Sequence, residues 1–115
     1  MAFNAAALTQ AAAGIATAYP YLSLHTAGAV TASTSESAAA RVPANWVNTN
    51  GVLSLPAGGK AFSGGAASGP AVRVGYWSAA TAGTYGGGSL LTGDQAFNSA
   101  GNYTVTAITE TPTSS

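Results

Sequence analysis

Cysteine is absent from the 115 residues, which excludes disulfide frameworks, thiolate zinc sites and thiol catalysis. Charge is almost absent too. Three Lys+Arg balance three Asp+Glu, and charged residues make up 5% of the chain, where an ordinary globular domain carries about 25%. That balance removes the electrostatic footprint of a nucleic-acid binder and, equally, a polybasic membrane patch. The chain has one His, whereas a metal site needs several ligating groups that converge. No repeat of useful period runs through it. What is present is Ala, Gly, Ser and Thr, with hydrophobic residues at 47%, so disorder by low hydrophobicity and high net charge is excluded. The length fits one domain, which buries roughly two-thirds of its unfolded surface and needs no staples. With so few charges a free monomer has little to keep its surfaces and sheet edges apart. Much of that surface is therefore expected to be covered by neighbours.

Residues 1–19 are Ala-rich, with Asn4 as an N-cap and Leu8, Ala12, Ile15 and Tyr19 at helical spacing. A secretory signal is the competing reading, on the strength of Ala16-Thr17-Ala18. It lacks a basic n-region, since the first cation is Arg41, and Thr9-Gln10 breaks the apolar run. A packed helix is expected, stopped by Pro20. Tyr21 to Thr26 then alternates as a strand. Residues 27–40 have no period and read as a long surface loop. Arg41–Val47 is a strand demoted at Pro43 to an edge or bulge, and Asn50-Gly51 is a hairpin turn into Val52–Leu55. Lys60–Phe62, Ala71–Ser78, Gly83–Leu91, Gln95–Phe97 and Tyr103–Thr109 complete the strands, with a Gly-rich stretch at 63–70. Short strands between Gly and Asn turns predict a mainly β fold, a jelly-roll-like β-sandwich with one N-terminal helix. One domain spans 1–115, with the helix at 1–19, the sandwich at 20–109 and a tail at 110–115.

Few residues carry chemistry. His25 has only Glu36, Asp94 and Glu110 as acidic candidates to work with, so a strand-end His donating to a backbone carbonyl is favoured over a catalytic base. Gly86-Gly87-Gly88 is followed by Ser89-Leu90-Leu91 and not by the Lys-Ser/Thr and helix of a phosphate loop. Trp46, Tyr76, Trp77 and Tyr85 suit either a sugar-stacking platform or a core and protein interface. The second is favoured by the enrichment of aromatics at protein contacts. Adjacent Tyr76 and Trp77 face opposite sides of a strand, so one is expected in the core and the other exposed or at an interface. Arg41 and Arg73 are expected either as ordinary surface pairs with Glu36 or Glu110, or as intersubunit contacts. The interface candidates are therefore Arg41, Trp46, Arg73, Tyr76, Trp77 and Tyr85; no catalytic, metal or cofactor residue is assigned.

Two segments, Ser23-Leu24-His25-Thr26-Ala27 and Gly75-Tyr76-Trp77-Ser78-Ala79-Ala80-Thr81-Ala82-Gly83-Thr84-Tyr85-Gly86-Gly87-Gly88, carry a resemblance. They follow an Ala-rich helix and a Ser/Thr loop with Glu36 and Arg41, and precede Ala100-Gly101-Asn102-Tyr103-Thr104-Val105. In this order the chain resembles, over nearly its whole length, a family of small virion structural proteins of actinobacterial tailed phages, variously called tail-fibre, minor tail or head-decoration proteins. Residues 27–30 read Ala-Gly-Ala-Val where that family carries an Asp-Pro-Gly turn. The resemblance implies a structural, non-enzymatic role with no cofactor. The chain has none of the coiled-coil heptads or β-helical repeats of a fibre. The expectation is a capsid decoration protein that clusters, as a homotrimer, and clamps neighbouring capsomers. Its partners would be the major capsid protein and copies of itself, with no nucleic acid and no membrane. It would be assembled in the host cytoplasm and sit on the virion surface, with residues 27–40, 63–70 and 109–115 as docking arms. The alternative is a minor tail or tail-fibre module that binds a host receptor or carbohydrate, presenting Trp46 or Trp77 in a groove.

Overall fold

The computed structural model describes residues 4–110, so the expected tail beyond Glu110 lies outside the described residues. Helix α1 spans Ala5–Ala18. The Asn4 side chain caps it by accepting from Ala7 N–H at 3.0 Å, and at its other end Tyr19 N–H donates to Ile15 O at 2.8 Å before Pro20. Only Ala12 of the apolar stripe is fully buried, and Ile15 remains 39% exposed. The helix lies on a hairpin of β3 (Val47–Thr49) and β4 (Val52–Ser54). Asn50 and Gly51 both take positive φ there, 52° and 89°, as the expected two-residue turn requires. That turn tucks under the helix: a Cβ on Gly51 would sit 3.0 Å from the Leu8 backbone.

Three small antiparallel sheets form the β part. The largest has the order β2 (Val42–Pro43), β1 (Tyr21–His25), β6 (Arg73–Trp77) and β7 (Tyr85–Leu90). A second joins β3, β4 and β9 (Thr109–Glu110), and a third pairs β5 (Lys60–Phe62) with β8 (Tyr103–Val105). Pro43 lies in an edge strand, where its missing N–H costs no ladder bond. The strand expected over Arg41–Val47 is split into β2 and β3, because Asn45 turns the chain with φ 52°. Gln95–Phe97 contributes a single bridge, Pro70 with Ala96.

β1 and β6 pair in register from Tyr21–Trp77 to His25–Arg73, so Leu22, Leu24, Val74 and Tyr76 share one face of the sheet. That face packs on Phe62, Leu91, Phe97, Val105 and Ile108 to form the core. The second face, carrying Ser23, His25, Arg73 and Trp77, is also buried. Tyr76 and Trp77 do point to opposite sides, but both are only 8% exposed. The two sides are as expected, but neither aromatic is exposed on the single chain, because the loop between β1 and β2 folds back over the second face.

Candidate functional site

The side chains beneath that loop form a continuous polar network. Arg73, on the central strand β6, is 0% exposed and has no carboxylate partner among the described residues. Its Nε donates to Ala27 O at 2.8 Å, Nη1 to Ala32 O at 2.7 Å and Nη2 to Thr34 O at 2.6 Å. Nη1 also donates to the Tyr85 hydroxyl at 2.9 Å, and that hydroxyl donates to Val30 O at 2.6 Å. A buried guanidinium is tolerated only when its donors are matched. Here three backbone carbonyls and a phenol match it, and residues 27–34 are thereby held against the sheet.

His25 completes the network beside Arg73. Its Nδ1 lies 2.8 Å from Thr34 O. A carbonyl can only accept, so Nδ1 carries the proton of the neutral ring and Nε2 is the acceptor. Ser23 Oγ sits 2.6 Å from Nε2 and accepts from Trp77 Nε1 at 2.8 Å. The proton order is therefore Trp77 to Ser23 to His25 to Thr34. Burial pushes the His25 pKa below its usual value, and the Arg73 charge adds to that depression against the Thr34 bond. Gly75, between Arg73 and Trp77, supplies the space. A Cβ there would lie 2.6 Å from His25 Nε2, 2.7 Å from Ser23 Oγ and 2.8 Å from a Tyr85 ring carbon.

Arg41 closes the far end. Its guanidinium carbon stacks 3.7 Å from the centre of the Trp77 ring and pairs bidentately with Glu36, at 2.8 and 2.9 Å. Nη1 donates to Ala79 O and Ala82 O, tying the β6–β7 turn to the same loop. On the opposite face Trp46 packs edge-on to Tyr76 with ring centres 5.4 Å apart, and its Nε1 donates to Tyr19 O at 3.0 Å. The Tyr76 hydroxyl donates to Glu110. Burial and that carboxylate raise the Tyr76 pKa, so the phenol remains a donor.

Of the six residues singled out in the sequence, Arg41, Arg73, Trp77 and Tyr85 meet in this network, while Trp46 and Tyr76 lie on the core side. Arg73 and Trp77 therefore offer little surface to a partner. Sequence reasoning missed Ser23 and Gly75. The signal was available, because Ser23 and His25 two apart on a strand must share a face. Ser23 and His25 have the spacing of a nucleophile and its base, but both are fully buried. The serine lone pairs already face Trp77, and Gly75 leaves no more room than the network fills. Among the described residues no three His, Cys, Asp or Glu side chains gather where a metal could bind, and no helix is long and apolar enough to cross a membrane. No family model, curated protein or solved structure matches the chain.

The outer surface is nearly bare of free charge. Arg73 is buried, and Glu36 and Arg41 neutralise one another. Among the described residues Lys60, Asp94 and Glu110 remain charged, the last accepting from the neutral Tyr76 hydroxyl. The two long arms expected at 27–40 and 63–70 are bound within the chain. The first is held by Arg73, Tyr85 and His25. The second is held by Gly65 N–H to Gly101 O and Ser68 N–H to Asn98 O, at 3.0 and 2.9 Å.

Proposed function

We propose that this chain is a structural protein of a tailed-phage virion, a capsid decoration protein. It clusters with copies of itself, as a trimer, and clamps neighbouring capsomers of the major capsid protein. The observation that carries this reading is the surface: half of the few charges are buried or paired within the chain, and most of what faces outward is small and neutral. A surface of that kind is poorly protected against association and suits many modest interfaces that add by avidity on a lattice. The polar network supports the same reading, since its ionisable and nucleophilic groups hold a loop in place and leave no catalytic step to assign. The jelly-roll-like sandwich belongs to this proposal as well. The four-stranded sheet and the β5–β8 pair line one apolar cluster, as such a domain would.

A receptor- or carbohydrate-binding tail module would use Trp46 or Trp77 as a stacking platform. The burial of Trp77 under Arg41 and the use of the Trp46 indole N–H by Tyr19 both favour the head over the tail. Copy number per virion tests the choice, measured by quantitative mass spectrometry against the major capsid protein. A ratio near one per capsid subunit, or a fixed large fraction of it, is expected. A handful of copies per particle would assign the chain to the tail.

A further inference from the structure

The second face of the sheet has room for one buried cation and not for two. His25 and Arg73 are both 0% exposed. Both nitrogens of the imidazole are committed, Nδ1 to Thr34 O at 2.8 Å and Nε2 to Ser23 Oγ at 2.6 Å. Thr34 O also accepts from Arg73 Nη2 at 2.6 Å, so ring and guanidinium converge on one carbonyl. Four charged or titratable groups surround the ring. Arg73 comes from β6. Tyr85 comes from β7, its ring edge-on to the imidazole with centres 5.8 Å apart and its hydroxyl held by Arg73 Nη1. Glu36, in the loop after β1, forms a backbone bridge with His25, but Arg41 takes its carboxylate bidentately. Arg41 itself, just before β2, adds a third cation to the neighbourhood.

A proton added to Nε2 turns that nitrogen from acceptor to donor. Ser23 Oγ would then receive from His25 as well as from Trp77 Nε1. Its own proton, which now goes to Nε2, would have no acceptor among the described residues. The imidazolium would also lie beside Arg73 in a layer closed to water, with the nearest carboxylate already paired. Admitting water removes all of these costs at once. The segment able to admit it is residues 27–34. It lies across the face and is tied down there by Arg73, Tyr85 and His25 themselves. Most of it is exposed, and none of its residues belongs to the apolar core. β1 and β6 beneath it stay joined over five residue pairs. A segment fixed by a few polar bonds over a packed sheet can open without the rest. We infer that residues 27–34 are an acid-released strap: protonation of His25 frees them from the second face of the sheet while the core on the first face stays packed. The device needs this chain alone and does not depend on the proposed function.

Hydrogen exchange of the full chain, followed by NMR from neutral to mildly acid pH, tests it. Rates are expressed as protection relative to the unstructured chain, which removes the intrinsic pH dependence of exchange. Two reporters sit at the strap: Thr26 N–H, which donates to Ser35 O, and the Trp77 indole N–H on Ser23. Phe97 N–H, which donates to Gly69 O from a core residue, is the control. Below the ordinary histidine value of about 6.5, protection of both reporters should fall by about tenfold per pH unit at most, with Phe97 unchanged. His25→Gln keeps one donor and one acceptor but does not titrate, so its reporters should hold their protection throughout. The ring nitrogens of wild-type His25 give a readout that needs no variant. They should show the Nδ1–H tautomer at neutral pH, and ring protonation should appear only together with loss of Thr26 protection. A ring that titrates with both reporters still protected, an acid response that persists in His25→Gln, or a loss shared equally by Phe97 would each overturn the inference.

Discussion

Replacing Arg73 by Met keeps most of the side-chain volume and removes every donor of the guanidinium. Three acceptors then lose a partner: Ala27 O, Ala32 O and the Tyr85 hydroxyl. Thr34 O loses one of two and keeps His25. An unsatisfied buried acceptor costs about 1–3 kcal/mol. The low end applies because residues 27 and 34 are exposed and residue 32 is half-buried, so water can reach part of the loop. Relief from burying an unpaired charge offsets some of the loss. The net expectation is a destabilisation of about 3 kcal/mol, a large share of the 5–15 kcal/mol that holds a domain together. Urea denaturation should show it as a midpoint lowered by about 1–3 M, given slopes of about 1–3 kcal/mol/M. Amide exchange should localise it, with protection lost first at Thr26 and Ala32, whose N–H groups donate to Ser35 O and Ala29 O. Arg73→Lys keeps the charge but has three donors at one point where the fork reached four acceptors, so it should recover only part of the loss. A midpoint unchanged by Arg73→Met, with the loop still protected, would refute the idea that this arginine holds the second face shut.

His25 gives a pH test. Its folded pKa is depressed, so the unfolded chain binds the proton more readily than the native one. Stability should be constant above the unfolded value of about 6.5 and fall as the pH drops below it towards the folded pKa, by up to about 1.4 kcal/mol per pH unit for one proton. Unfolding titrations between neutral and mildly acid pH should show that slope in wild type and lose it in His25→Gln. Gly75→Ala should destabilise by about 1–3 kcal/mol through overpacking, since its Cβ would enter the space of His25, Ser23 and Tyr85; thermal unfolding checks it. Gly14→Ala is the opposite case. It lies in α1 with nothing within 4 Å of a new Cβ, so the melting temperature should rise by the equivalent of about 0.5–1 kcal/mol.

Local rules carried the sequence reading as far as local rules decide. The Asn4 cap, the Pro20 stop and the Asn50-Gly51 turn each depend on a few adjacent residues, and each was legible. The strand over Arg41–Val47 was not, because the break lies at Asn45, an ordinary residue held at positive φ. The second face of the sheet was also hidden. Alternation shows which residues share a face but not what covers it. The Ser/Thr-rich loop gave no sign that its carbonyls would be drawn onto a buried arginine. For the same reason Arg73 and Trp77 were expected as interface residues, since from sequence a rare charge in an apolar strand fits an outward contact and an inward clamp equally well.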